Sequence, residues 1–142
     1  MGRYAFFRGS FVPLEEANIN VQTHAFLYGT AVFEGIRAYW SEEEQDLLVF
    51  RMPEHYERIL NSCKILRMKP AYGVDELCRI SLELLRRNGD KEDVYLRPIF
   101  YKSTHMIGVK LTPIDDDFLV FAVPFGAYLD LARRAGLHPH CG

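Results

Sequence analysis

Residues 23–37, THAFLYGTAVFEGIR, decide how the rest of the chain is read. They gather His24, Phe26, Tyr28, Phe33, Glu34 and Arg37 around two glycines, Gly29 and Gly35. Neither a helix nor a strand accommodates that mixture throughout. A glycine inside an element costs roughly 0.5–1 kcal/mol relative to alanine. Such a residue marks a place where the backbone turns or lets another group come close. Two readings stay open at this point. Aromatics and an arginine beside a close-approach backbone make a pocket wall, and the same residues also suit a tight buried corner of a core. From Phe33 to Trp40 the pattern alternates. Phe33, Gly35, Arg37 and Tyr39 share one strand face, with Glu34, Ile36, Ala38 and Trp40 on the other.

Before this stretch, Tyr4 to Phe7 and Phe11 to Pro13 flank Arg8-Gly9-Ser10, the pattern of a β-hairpin with a glycine turn. Glu15 to Gln22 is a polar connection. After it, Ser41 to Asp46 is an acidic loop and Leu47 to Arg51 a returning strand, so Arg51 ends a strand just before a helix. Pro53 and Glu54 suit the first turn of that helix, and Tyr56, Ile59, Leu60, Cys63 and Leu66 give it one apolar face. A second helix is expected over Val74–Asn88. Asp75 and Glu76 lie in its first turn, Arg86 and Arg87 in its last, and Gly89 serves as a left-handed stop. Asp93 to Tyr101 is a strand with Tyr95, Arg97, Ile99 and Tyr101 on one face. Pro98, lacking an amide donor, points to a sheet edge or bulge. Phe118 to Val123 is a continuous apolar strand expected to be covered on both faces, and PFGAYLD follows as another glycine-aromatic turn. Strands, then helices, then strands argue for an α+β fold: a mainly antiparallel sheet with two principal helices packed on it.

A chain of 142 residues fits one domain, and 49% hydrophobic with 25% charged residues is ordinary for a globular protein. A net charge of −2 without a basic stripe argues against a nucleic-acid partner. No apolar run approaches the ~20 residues of a membrane span. Arg3 and Arg8 bracket only Tyr4 to Phe7, too short for a signal-peptide core. Cys63, Cys78 and Cys141 are odd in number and lack metal-ligand spacing, which favours reduced thiols and a cytoplasmic location. No G-x-S-x-G, P-loop, HExxH or dinucleotide fingerprint is present.

Individual residues have two readings each. Arg51 is either a partner in a surface ion pair or a guanidinium fork for a phosphate or carboxylate. Tyr95 and Arg97 are either a cross-strand surface ladder or a hydroxyl and a charge entering a pocket beside Arg37. His24 reads as a structural hydrogen-bonding residue rather than a base, and His55 as a solvated residue on a polar helix face. His138, His140 and Cys141 carry ligand types, but their close terminal spacing makes a poor closed metal site.

Taken together, THAFLYGTAVFEGIRAY, VFRMPEHYERILNSCKILRM, DVYLRPIFY, GVKLTP and VPFGAYLD resemble the branched-chain amino acid aminotransferases. These are fold-type IV pyridoxal-phosphate enzymes, a group that also holds D-amino acid aminotransferase and aminodeoxychorismate lyase. The resemblance covers Tyr4 to Asp130. It implies that Arg51 grips the phosphate of pyridoxal 5'-phosphate and that Phe33, Gly35 and Arg37 line the active-site face. Tyr95 would hold the substrate carboxylate, and Arg97 would take the second carboxylate of glutamate or 2-oxoglutarate. Tyr128 would lie near the junction between domains. Tyr28 and Val109 would reach into the partner subunit's pocket of a homodimer or higher homo-oligomer. The implied reaction passes an amino group between leucine, isoleucine or valine and 2-oxoglutarate.

The family's Schiff-base lysine lies in a second domain, and none of Lys64, Lys69, Lys91, Lys102 and Lys110, placed on helices or loops, matches it. The expectation is therefore an N-terminal domain over residues 1–130, inactive alone and not retaining the cofactor, with no catalytic residue of its own. Residues 131–142 depart from the family pattern and read as a truncated or frame-shifted tail. The alternatives are D-amino acid transamination or lyase chemistry on the same scaffold, or a non-catalytic dimerising module.

Overall fold

The structure, a computed structural model, describes residues 2–126 and 134–136. Tyr128 and most of the 131–142 segment, including His138, His140 and Cys141, lie outside the described residues. Strands β1 (Tyr4–Phe7) and β2 (Ser10–Pro13) form the expected hairpin. Arg8 and Gly9 both take positive φ at its two-residue turn, the geometry that matches strand twist. A short helix, α1 (His24–Tyr28), was not foreseen; it ends at Gly29, whose φ is 67°. Then come β3 (Ala31–Phe33), β4 (Ile36–Ser41), β5 (Asp46–Val49), α2 (Met52–Ile65), α3 (Val74–Asn88), β6 (Val94–Lys102) and β7 (Asp116–Pro124). All strand pairings are antiparallel, in the order β2-β1-β7-β6-β4-β5 with β3 also on β6.

β6 is the strand on which the sheet is built, pairing with β7 on one side and with β3 and β4 on the other. Pro98 is therefore central, not at an edge. Its carbonyl accepts from the Glu34 amide at 3.1 Å, which places its missing N–H on the same side. The return bond to Glu34 is impossible, and the ladder lapses for Glu34 and Gly35 without changing register: Phe33 faces Ile99 before the lapse and Ile36 faces Leu96 after it. One long expected strand is in fact two collinear ones, interrupted by a proline more than 60 residues away.

The helices cover one face of the sheet. Ile36, Ala38, Val94, Leu96, Phe100, Phe118, Val120 and Ala122 form the core there with Tyr56, Ile59 and Cys63 of α2 and Leu77, Leu84 and Leu85 of α3. The Tyr56 hydroxyl hydrogen-bonds Ser81, whose hydroxyl donates to the Leu77 carbonyl at 2.8 Å, so a polar link between the helices is satisfied inside the core. Burial pushes the Cys63 thiol up to about 12, with Asp116 adding and Lys102 opposing, which keeps it an inert thiol.

The opposite face is only partly covered. Leu119, Phe121 and Val123 of β7 are half-buried, so the expectation of a strand fully covered on both sides does not hold in this chain. Toward one end the open face is closed by Phe7 and Tyr101, both buried, with the Arg8 guanidinium 5.0 Å above the Phe7 ring. Burial pushes the Tyr101 hydroxyl up to about 12. The other end, around Phe33, Gly35, Arg37 and Tyr95, is accessible.

Candidate functional site

The two glycines of the opening stretch do different work. Gly29 takes the left-handed turn that stops α1, its amide donating to the Ala25 carbonyl at 2.8 Å. Gly35 provides the close approach. A Cβ there would stand 2.2 Å from Tyr95 Oη and 2.9 Å from its Cζ. The Tyr95 ring thus occupies the space that any other residue would fill.

Around that seat the accessible sheet face gathers the expected residues. Arg37 lies directly opposite Tyr95 across the β4–β6 ladder. Arg97 donates from a terminal guanidinium nitrogen to Tyr95 Oη at 2.6 Å, and its guanidinium lies 4.2 Å from the Phe33 ring centroid. The Arg37 guanidinium lies 5.1 Å from the Phe125 ring. Phe33 itself is 59% exposed. Among the described residues neither Arg37 nor Arg97 is paired with a carboxylate. Two guanidiniums on an aromatic surface, neither paired with a carboxylate among the described residues, suit an anionic ligand with an apolar part. Phe33, Gly35, Arg37, Tyr95 and Arg97 therefore come together as the alternation implied.

Arg51 is placed differently from the expectation. β5 ends at Val49, and Arg51 precedes α2 in the left-handed region at φ 51°, a conformation costing a non-glycine residue roughly 1–2 kcal/mol. Its side chain is 64% exposed and has a long 4.0 Å contact to Glu54. Arg51, Glu54, His55 and Arg58 line a shallow groove. The Phe50 amide donates to the Arg37 carbonyl at 2.9 Å, which ties the approach to Arg51 to the site strand. An exposed guanidinium with so weak a counter-ion fits a phosphate.

Tyr28 and Val109 form a second group. His24, fully buried, donates from Nε2 to the Gly108 carbonyl at 2.6 Å, and in the neutral ring Nδ1 accepts from the Thr30 hydroxyl at 2.8 Å. The Gly108 amide donates to Tyr28 Oη at 2.8 Å. The structural reading of His24 holds, and α1 thereby grips the 103–115 loop at one glycine. Next to that grip Val109 is 79% exposed, and Ile107 and Phe26 also face outward.

One cluster of three residues, Glu34, His55 and Arg58, was missed or misread from sequence. His55 is half-buried rather than solvated, with Nδ1 2.8 Å from Glu34 Oε1. Arg58 Nε donates to both Glu34 oxygens at 3.0 Å and a terminal nitrogen donates to Oε1 at 2.6 Å. Burial alone pushes the buried Glu34 carboxyl up. The hydrogen bonds and charges of Arg58 and His55 outweigh that and hold it below the ordinary carboxylate range. The sequence signal was available: Glu34 is a charge on the strand face that carries Ile36 and Ala38.

Lys102, expected on a helix or loop, ends β6. It is fully buried, and its Nζ donates to the Arg67 carbonyl at 3.1 Å at the foot of α2. Among the described residues no group of three potential ligands could hold a metal ion, and no helix is long and apolar enough to cross a membrane.

The chain is similar to known proteins. A probable branched-chain-amino-acid aminotransferase of Aquifex aeolicus is 45% identical over 130 residues, covering 92% of this chain and 42% of the relative. The crystal structure of branched-chain aminotransferase from the archaeon Thermoproteus uzoniensis with norvaline superposes with a TM-score of 0.82 at 38% identity, covering 87% of this chain and 41% of that one. The branched-chain amino acid aminotransferase from Thermobaculum terrenum in its PLP form, the holo form, gives 0.78 at 29% identity, covering 87% of this chain and 40% of that one. The chain thus spans about 40% of the length of its curated relatives. The sequence model of the Amino-transferase class IV family matches residues 31–139. From the Phe33–Arg37 strand face to the Tyr95–Arg97 strand, the chain belongs to the class IV aminotransferases.

Proposed function

We propose that residues 1–130 are the N-terminal domain of a branched-chain amino acid aminotransferase exchanging an amino group between leucine, isoleucine or valine and 2-oxoglutarate. The observation that carries this reading is the pair of guanidiniums, Arg37 and Arg97, without a carboxylate partner among the described residues on a face lined by Phe33 and Tyr95. Pyridoxal 5'-phosphate, when bound, supplies the electron sink of the reaction. Arg51 holds its phosphate. Tyr95, whose hydroxyl accepts from Arg97 at 2.6 Å, helps hold a substrate carboxylate. Arg97 takes the second carboxylate of 2-oxoglutarate, and Phe33, beside the Tyr95 ring seated on Gly35, takes an apolar side chain. Tyr28 and Val109 serve the neighbouring subunit of a homodimer.

The lysine that the chemistry requires is assigned to the remainder of the longer enzyme, so the 142-residue chain alone is inactive in this proposal. Lys102 is buried on the helix-covered side, and the other four lysines lie on α2 or between elements. The D-amino acid, lyase and non-catalytic readings are not favoured by the relatives, which are branched-chain enzymes.

The test is a substrate panel on the enzyme that contains this domain. Branched L-amino acids should turn over with 2-oxoglutarate and D-alanine should not. Arg97→Met should raise KM for 2-oxoglutarate about 10- to 100-fold, the range of a lost hydrogen bond to a charged group. KM for branched 2-oxo acids should change less than about 3-fold on the same scale. Turnover of D-alanine, or an equal rise for both acceptors, would overturn the assignment.

A further inference from the structure

We infer that Glu34 is a positioning residue for Arg51: its buried carboxylate holds the first two turns of α2, and with them the left-handed backbone that presents the Arg51 guanidinium. The inference rests on the reading of Arg51 as the phosphate grip and adds to it a residue on the opposite side of the sheet.

The argument begins at the strand lapse. Because Pro98 returns no hydrogen bond, Glu34, whose amide still donates to the Pro98 carbonyl at 3.1 Å, and Gly35 stand between the paired strands as a two-residue unit. Gly35 seats Tyr95 on the accessible face. Glu34 turns to the helix side, where it is 7% exposed, and among the described residues its carboxylate is bonded by α2 residues: His55 at 2.8 Å and Arg58 at 2.6 to 3.0 Å. His55 is bonded in turn to Arg51, its amide donating to the Arg51 carbonyl at 3.1 Å. Arg51 needs such support. It sits in the left-handed region without being glycine, at a helix start with no side-chain cap, and a strained residue persists only where its surroundings over-determine it. Among the described residues Glu34 makes the only ion pairs that tie the first turns of α2 to the sheet.

The unit therefore couples two subsites through adjacent residues: Gly35 sets the height of Tyr95, and Glu34 sets the attitude of Arg51. Replacing the carboxylate by an amide takes away the charge and one of the two acceptor oxygens that serve His55 and Arg58, and the first turn of α2 is loosened while the rest of the helix stays packed through Tyr56, Ile59 and Cys63.

Amide hydrogen exchange and backbone chemical shifts of the isotopically labelled 142-residue chain test this. In Glu34→Gln the His55 amide should exchange at least tenfold faster, and the Arg51 Cα and Cβ shifts should lose their left-handed signature. The Gly89 amide, bonded to the Leu85 carbonyl in α3, should change less than twofold. If Glu34→Gln does not fold, Arg58→Met decides the matter, since Arg58 is 68% exposed and its replacement leaves His55 on Glu34. It should give the same local signature at about threefold. Unchanged His55 exchange and Arg51 shifts would overturn the inference, and so would an equal acceleration at His55 and Gly89, which would mark a merely global loss of stability. Titration with pyridoxal 5'-phosphate separates the underlying reading. If the Arg51 signals of the unsubstituted chain respond saturably, Glu34→Gln should weaken that response tenfold or more and Arg51→Ala should abolish it. A response that survives Arg51→Ala sinks the phosphate reading, while the exchange data still judge Glu34.

Discussion

Gly35 shows how much one missing methyl group can carry. Its neighbour in space is an aromatic ring, so a clash is not relieved by a small bend at a flexible tip. Gly35→Ala should displace Tyr95, break its bond to Arg97 and destabilise the chain by about 1–3 kcal/mol, the usual penalty of overpacking. Combining it with Tyr95→Ala should remove most of that penalty. Urea unfolding midpoints of the two single variants and the double variant would measure the coupling. The glycine was legible in the sequence as a place where something comes close. That the something is Tyr95 was not legible, because 60 residues separate the two and only the register of β4 on β6 brings them together.

At the level of elements, α3 was legible to the residue, since charges at both ends and a glycine stop all agree on Val74–Asn88. Its junction with α2 makes an ordered prediction. Ser81→Ala leaves the Tyr56 hydroxyl buried without its partner and should cost about 1–3 kcal/mol, whereas Tyr56→Phe leaves Ser81 still bonded to Leu77 and should cost about 0.5–1.5 kcal/mol. Denaturant unfolding checks the order, and the reverse order would show that the link is not the polar contact described. The Glu34 cluster predicts a pH dependence. Its native carboxyl titrates below the ordinary value of 4.5, so its contribution is complete above that value and is lost as pH falls through the lower native one. Glu34→Gln should narrow the stability gap to the unsubstituted chain as pH drops below 4.5, read as converging urea midpoints. Neither α1 nor the lapse between β3 and β4 was legible. A five-residue helix is too short to establish a period, and the lapse is imposed by Pro98 from the neighbouring strand.

Across the whole molecule, Phe26, Leu27, Val21, Ile107 and Val109 are large apolar side chains left facing outward. Together with the proposed subunit contact they predict concentration-dependent self-association of the chain. Sedimentation velocity should show Val109→Asp and Phe26→Ser shifting it toward monomer, with circular dichroism unchanged. The α+β class, the hairpin, the two principal helices and the sharing of strand faces were all readable from the residues, because they follow from local propensity and from periods of 2 and 3.6 residues. The sequence also carried the family resemblance, since the motifs lie in contiguous segments. Tertiary structure alone decided that β6 is central despite Pro98, that Arg51 stands in a left-handed cap, and that Glu34 is buried against α2. Each of these depends on a partner distant in the chain, and no local pattern encodes which face such a partner will close.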